Sequence, residues 1–315
     1  MKILVTGGAG FIGSHLCERF LSLGHGVTIL DNFNDFYDPA IKRHNLSSLG
    51  EAEVIEGDIR DRELLDKLFA DGNFDAVVHL AAMAGVRPSL KDPLLYEDVN
   101  VRGTLALLEE IRQRPEMRFV LASSSSVYGG NESVPFKETD DISRPVSPYA
   151  ATKRAAELMA YTHHHLYGNP TTCLRFFTVY GPRQRPEMAI HRFVAATLAG
   201  ESIPFFGDGT TRRDYTYVDD IIEGVVRATE RCSDYEIYNL GESATTTLAE
   251  LVDEVGRACG REVILDRQPM QPGDVEITYA DVSKARSKLG YEPSTTVREG
   301  LERFVEWYRS VHSPH

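Results

Sequence analysis

Lys2-Ile3-Leu4-Val5-Thr6-Gly7-Gly8-Ala9-Gly10-Phe11-Ile12-Gly13 opens the chain and decides its fold. Residues 2–6 are a short apolar run of strand type. Glycines follow at Gly7, Gly10 and Gly13, and a helical apolar pattern continues through Leu16, Phe20 and Leu23. Strand, glycine turn and helix in this order make a phosphate-binding unit. Gly7 allows the tight turn, Gly10 lets backbone approach a pyrophosphate, and Gly13 lets helix pack closely on strand. Phe11 and Ile12 belong to the same turn, where the positive helix end meets phosphate. A second strand pattern over residues 26–30 ends at Asp31, 18 residues after Gly13. A carboxylate there accepts the adenosine ribose hydroxyls and repels a 2′-phosphate. Asn32 stands beside it and no arginine follows immediately, so NAD is preferred over NADP.

Apolar runs at residues 3–6, 26–30, 53–55, 75–80, 118–122 and 172–177 alternate with helical patterns near 11–23, 61–70, 94–114 and 148–167. Repeated strand–helix units imply a Rossmann-type, doubly wound parallel sheet covered on both faces. From Gly181 the texture changes. Pro182, Pro186, Pro204, Gly207 and Gly209 punctuate shorter elements, with helices expected near 189–199, 218–230, 247–259 and 296–311. The expected division is a dinucleotide-binding domain over residues 1–178 with a return segment near 213–242. A smaller C-terminal α/β domain, residues 179–212 and 243–315, closes over it and binds substrate.

Bulk properties narrow the partners. The 315 residues are 42% apolar and 26% charged, which is ordinary for a globular protein, and the net charge of −13 disfavours nucleic acid and anionic membrane. Cys17, Cys173, Cys232 and Cys259 are scattered without metal-type spacing. The chain starts directly on a strand, and no apolar stretch approaches the roughly 20 residues that cross a bilayer. These features lead to the expectation of a cytoplasmic protein with free thiols, no membrane span and no bound metal. His163-His164-His165 looks like a metal cluster, but consecutive helix residues point about 100° apart and cannot converge on one ion. No G-x-S-x-G elbow supports hydrolase chemistry.

Tyr149 and Lys153 stand four apart in Ser147-Pro148-Tyr149-Ala150-Ala151-Thr152-Lys153, on one face of an expected helix. The spacing also occurs on any solvated helix face. Read as chemistry, it pairs an acid–base phenol with a cation. A phenol working as a base near pH 7 must titrate roughly 3 pH units below its usual value, about 4 kcal/mol. An ammonium about 4 Å away supplies roughly that much, so Lys153 is expected to depress Tyr149.

Taken with the glycine loop and Asp31, the runs Gly57-Asp58-Ile59-Arg60-Asp61, His79-Leu80-Ala81-Ala82, Ser123-Ser124-Ser125-Ser126-Val127-Tyr128-Gly129 and Tyr149-x-x-x-Lys153 resemble the extended short-chain dehydrogenases/reductases. Within these, the chain is similar to NAD-dependent nucleotide-sugar 4-epimerases. The runs 31–38, Ala84-Gly85-Val86-Arg87 and Gln271-Pro272-Gly273-Asp274-Val275 resemble the UDP-glucuronate 4-epimerase branch. The resemblance implies that Asp58 and Ile59 flank the adenine, that Leu80, Ala81 and Ala82 line the diphosphate and nicotinamide ribose, and that Asn100 supports the site. Phe176 is placed beside the cofactor, and Lys153 also holds the ribose. Ser124 matches the family's catalytic hydroxyl, which relays the sugar proton to Tyr149. A serine run after a buried strand also caps turns. The resemblance further implies a homodimer built on helices near 94–114 and 148–167.

In such enzymes Tyr149 takes the 4-hydroxyl proton while hydride passes from carbon 4 to NAD, and the keto sugar turns before hydride returns. The 4,6-dehydratases carry an Asp-Glu pair after the catalytic hydroxyl; this chain has Ser125 and Ser126. Elimination lacks its acid and base. UDP-glucuronate decarboxylases typically have Glu where Ser126 stands. For a UDP-glucuronate carboxylate, Arg185 can supply the cation and Ser125, Ser126 and Thr178 the hydroxyls. UDP-glucose 4-epimerases usually have Asn at the place of Thr178, after the aromatic pair matched by Phe176 and Phe177. The resemblance implies that Arg213, with Arg212 beside it as the alternative, binds the UDP diphosphate and that Asp274 accepts from the ribose; Phe206 is expected near the uracil or as a core aromatic, and Arg87 on substrate or in a surface salt bridge. The alternatives are a UDP-glucose 4-epimerase, a UDP-glucuronate decarboxylase and, in a different class, a non-catalytic NAD sensor.

Overall fold

The protein is described from a computed structural model covering residues 1–50, 52–270 and 275–312. Six strands, β1 (Lys2–Thr6), β2 (Gly26–Asp31), β3 (Glu53–Glu56), β4 (Ala76–His79), β5 (Arg118–Ser124) and β6 (Thr171–Phe176), join Tyr235–Leu240 in a seven-stranded parallel sheet. The order is β3-β2-β1-β4-β5-β6 with Tyr235–Leu240 at the far edge. The doubly wound sheet expected from the strand–helix alternation is therefore present. Both faces are covered, and the strands alternate between two cores. Ile3, Val5 and Val78 join one; Leu4, Val77 and Phe119 join the other. Strand order reverses between β1 and β4, which opens a crevice at their C-terminal ends.

The segment read as one helix over 94–114 is built in three parts. Pro93–Glu97 and Gly103–Ile111 are α-helical, and Asp98–Arg102 between them is a π-turn. Helix periodicity cannot reveal an inserted π-turn, because the apolar face continues through it. Asn100 lies in this wider turn, a place where backbone irregularity often marks function.

The later chain adds small strand pairs that composition alone did not resolve. Thr178–Tyr180 pairs with Tyr215–Tyr217, Ser202–Phe206 with Ile264–Gln268, and Arg212–Arg213 with Thr246–Thr247. The short helices Pro39–Asn45, Val86–Lys91 and Ser283–Leu289 were likewise too brief to show a periodicity. No described helix is long and apolar enough to cross a membrane.

Candidate active site

A cleft of about 400 Å³ runs along the C-terminal ends of β1, β2, β4 and β5. Gly7, Gly10, Phe11, Ile12 and Gly13 line one end, with Asp31, Asn32, Asp58 and Ile59 beyond them. Gly7 has φ +73°, and a side chain on it would strike the backbone of Ala81; a side chain on Gly13 would collide with the Gly7 carbonyl. Bare backbone here is what a dinucleotide phosphate requires, so these residues fit the group. Asp31 accepts from Ala9 N at 3.1 Å and Phe33 N at 2.9 Å, which fixes its carboxylate at the cleft wall. Burial pushes that carboxyl upward against these bonds and the charge of Lys42.

Asn32 donates to Asp58 at 2.9 Å, joining the ends of β2 and β3. Arg60 also holds Asp58, at 2.8 Å, and these bonds bring its carboxyl down to about 2. Leu80, Ala81 and Ala82 line the middle of the cleft. Leu80 N donates to Thr6 O at 3.1 Å, and Ala81 N to Thr6 Oγ1 at 3.3 Å. Asn100 is buried behind this loop: it accepts from Met83 N at 2.8 Å and donates to Met83 O at 3.0 Å and Thr152 Oγ1 at 3.1 Å. It is a staple of the wall, while the lining itself is Met83.

The Pro148–Tyr167 helix starts where it does because Ser147 Oγ accepts from Ala150 N at 3.1 Å and Pro148 occupies the first turn. Tyr149 and Lys153 share its cleft face with Ser123, Ser124, Ser125 and Ser126 opposite. The expected depression of Tyr149 by Lys153 is not what the structure shows. Burial pushes the Tyr149 phenol up, while its hydrogen bond with Ser124 and the charge of Arg185 pull it down. The physical reason is burial of the phenol; Lys153 Nζ donates to Ala122 O at 2.8 Å, and burial brings the lysine itself down to about 8.

Ser124 Oγ donates to Ser126 Oγ at 3.1 Å and accepts from Ser126 N at 3.2 Å, capping the 3-10 turn Ser125–Tyr128. The turn-capping reading and the proximity to Tyr149 are thus both satisfied. Phe176, Thr178 and Arg185 complete this end of the cleft. Arg185 lies 3.1 Å from Glu187 and 5.6 Å over the Phe36 ring.

Among the described residues, three expected substrate residues, Arg87, Phe206 and Arg213, are not in the lining. Arg87 sits over the Phe206 ring at 5.9 Å, and Arg213 donates to Arg212 O at 2.8 Å and Glu276 O at 3.3 Å. Asp274, with Gln271, lies outside the described residues. Conversely, Phe36, Tyr37, Lys42 and Met188 line the cleft without having been singled out. A signal existed in the 32–38 run. Asn32 Oδ1 accepts from Asn34 N at 3.1 Å, and Asn34 Oδ1 from Phe36 N at 3.2 Å, so side-chain amides two residues apart fold it into successive turns. The histidine run diverges: His164 turns to Asn169 O at 2.8 Å, while His165 stacks on Tyr161.

Comparison with known proteins agrees with this geometry. A family model described as GDP-mannose 4,6 dehydratase matches residues 4–304. UDP-glucuronate 4-epimerase from Thermodesulfobacterium geofontis is 43% identical over 308 residues, covering 96% of this chain and 95% of that protein. UDP-glucuronic acid 4-epimerase from Bacillus cereus, solved with UDP-glucuronic acid and NAD, is 36% identical with TM-score 0.92, covering 99% of this chain and 100% of that one. UDP-glucose 4-epimerase from Thermotoga maritima, solved with UDP-glucose, is also 36% identical with TM-score 0.92, covering 99% of each chain. The chain therefore belongs to the GDP-mannose 4,6 dehydratase family of extended short-chain dehydrogenases/reductases, alongside NAD-dependent UDP-sugar 4-epimerases.

Proposed function

We propose that the chain is an NAD-dependent 4-epimerase that interconverts UDP-glucuronate and UDP-galacturonate. The observation that carries the substrate choice is Arg185 in the same cleft as Ser124, Ser125, Ser126, Thr178 and Tyr149. A guanidinium with short hydroxyl donors suits a sugar carboxylate. The substrate 4-hydroxyl is placed against Ser124 and Tyr149, which share the cleft, and Tyr149 in its deprotonated form takes up its proton. A bound NAD would supply the reversible hydride acceptor for carbon 4 that inversion there requires. Tyr149 then gives the proton back. Gly7, Gly10, Phe11, Ile12, Gly13, Asp31, Asn32, Asp58, Ile59, Leu80, Ala81, Ala82 and Lys153 would hold the cofactor, and Asn100 would brace the loop behind it.

Ser125 and Ser126 offer no acid–base pair for elimination, which separates the chain from dehydration chemistry within its family. The keto form of a uronate is a β-keto acid and loses carbon dioxide when the breaking bond aligns with the carbonyl. Arg185 and its hydroxyl neighbours oppose this by fixing the carboxylate. A sensor without turnover would not need Tyr149 and Lys153 together in the cleft.

The UDP-binding end is assigned to Arg213, Phe206, Arg87 and Asp274, with residues 179–212 and 243–315 as the substrate-binding part and residues 1–178 with 213–242 as the cofactor-binding part. A homodimer is supported by apolar side chains left exposed on the two helical segments, Leu94 at 80% and Leu166 at 62%. A cytoplasmic setting is supported by four buried free cysteines.

The test is incubation of the pure protein, without added reductant, with UDP-glucuronate and separately with UDP-glucose, products being read by NMR. Equilibration of the uronates at carbon 4 is expected. Interconversion of glucose and galactose alone would overturn the substrate, and no interconversion of either would overturn the reaction.

A further inference from the structure

Glu157 stands one turn beyond Lys153 and two beyond Tyr149 on the Pro148–Tyr167 helix, so the three share a face. Its carboxylate, 0% exposed, accepts from Arg175 Nε at 2.9 Å and Nη2 at 3.0 Å, from Arg154 Nη1 at 3.0 Å and from Ser123 Oγ at 2.6 Å. Arg175, 1% exposed, also donates to Tyr128 OH at 3.0 Å, which donates to Asn239 Oδ1 at 2.6 Å. These bonds tie together the helix of Tyr149 and Lys153, the β5 end carrying Ser124, the 3-10 turn of Ser125 and Ser126, β6 and the edge strand. Burying an ion pair gives little net stability over an apolar pair of the same shape, so the consequence of this one lies in where its charge sits.

Several groups face Lys153 and its helix among the described residues. His79 on β4 is kept neutral by burial at about 3, and burial raises the phenols of Tyr96, Tyr149, Tyr128 and Tyr235. Burial likewise raises the Cys173 thiol on β6. Asp98 in the π-turn pairs with both Arg102 and Arg60. Arg154 and Arg175 are turned onto Glu157. Glu157 is the carboxylate whose charge opposes the desolvation of Lys153.

We propose that Glu157 is a positioning residue for the reaction: clamped by Arg175 and Ser123, it holds Ser124 opposite Tyr149 and places a buried negative charge behind Lys153 that keeps it an ammonium. Lys153 can then hold a ribose hydroxyl as a cation on the same helix face as Tyr149. The role in catalysis rests on the 4-epimerase reading.

The test uses Glu157→Gln and the double variant Glu157→Gln with Arg175→Met, which removes both charges. The Lys153 midpoint is read from its 13Cε resonance, assigned by its loss in Lys153→Met, and the pH profile of kcat is measured in parallel. In Glu157→Gln the midpoint and the alkaline limb are expected to move about one pH unit toward acid, with KM within about twofold of the wild type. In the double variant the melting temperature returns toward wild type while the midpoint stays below it. If Glu157→Gln does not fold, the double variant carries the measurement. An unmoved midpoint in the folded variant, or a wild-type midpoint in the double variant, overturns the role. A moved midpoint in Glu157→Gln, with a wild type that epimerises no UDP-sugar, would uphold the charge coupling and overturn the 4-epimerase reading instead.

Discussion

Lys153 Nζ donates to the Ala122 carbonyl at 2.8 Å, which ties the cation of the Tyr149-x-x-x-Lys153 pair to the end of β5, two residues before Ser124. The lysine is thus a strut as well as a charge, and burial leaves it titrating at about 8. Because the protonated form is the one that binds and stabilises, kcat/KM should fall above pH about 8. Initial rates from pH 6 to about 10 check this. A flat profile to the alkaline end would remove Lys153 as the controlling group.

Replacing Tyr149 with Phe deletes the phenol hydroxyl that shares the cleft with Ser124 while keeping the ring against Tyr96. Turnover should drop by roughly 10²–10⁴-fold. Folding and NAD binding should persist, as read by thermal melting with and without NAD. Retained turnover would exclude Tyr149 as the base.

Asn100→Ala removes bonds to both the N–H and the carbonyl of Met83 and to Thr152. Leaving these groups unmatched should cost about 2–3 kcal/mol by urea denaturation, and the loosened 80–86 loop should bind NAD more weakly. Unchanged NAD affinity would show that the loop holds its shape without the staple.

For Arg185→Ala, loss of a charged hydrogen-bond donor predicts a 10–100-fold slower turnover of UDP-glucuronate, on the order of 1.5–3 kcal/mol. UDP-glucose, lacking the carboxylate, should be affected far less. Product analysis should also detect a decarboxylated sugar. Normal epimerisation of the uronate would sink the assignment.

Glu242 provides a stability prediction. Burial and the neighbouring charges of Asp220 and Asp214 push its carboxyl up to about 8, and Asp214 is itself raised to about 6 by burial. The folded state therefore holds protons that the unfolded chain has released above about pH 4.5. Stability from these groups is full below that point and is lost as pH rises toward about 8. Glu242→Gln should flatten the decline, most visibly in urea denaturation at pH 7–9. The difference between the two proteins isolates this group from buried His79 and His191, whose lowered values act on the acid side with opposite sign. Parallel curves would refute it.

Much of the fold was legible because its signals are local. The Gly7–Gly13 spacing, Asp31 at the end of β2 and the 2-versus-3.6 alternation of apolar residues are all read within one element. The π-turn at Asp98–Arg102 was not, since it leaves the apolar stripe intact. Phe36 and Tyr37 form cleft wall that the run 31–38 does not disclose, because a turn-rich loop does not show which face it presents.

By itself the sequence determined the doubly wound sheet, the dinucleotide loop and the kinds of side chain available for proton and hydride chemistry, since helix and strand periods set which near neighbours share a face. Only the tertiary structure decided the state of those side chains. Lys153 meets Ala122 across 31 residues, Glu157 meets Ser123 across 34, and Tyr128 meets Asn239 across 111. Such pairings exist only after strands from distant parts of the chain stack side by side. Once they are stacked, water is excluded, and desolvation outweighs the simple four-residue spacing in setting the protonation of Tyr149 and Lys153.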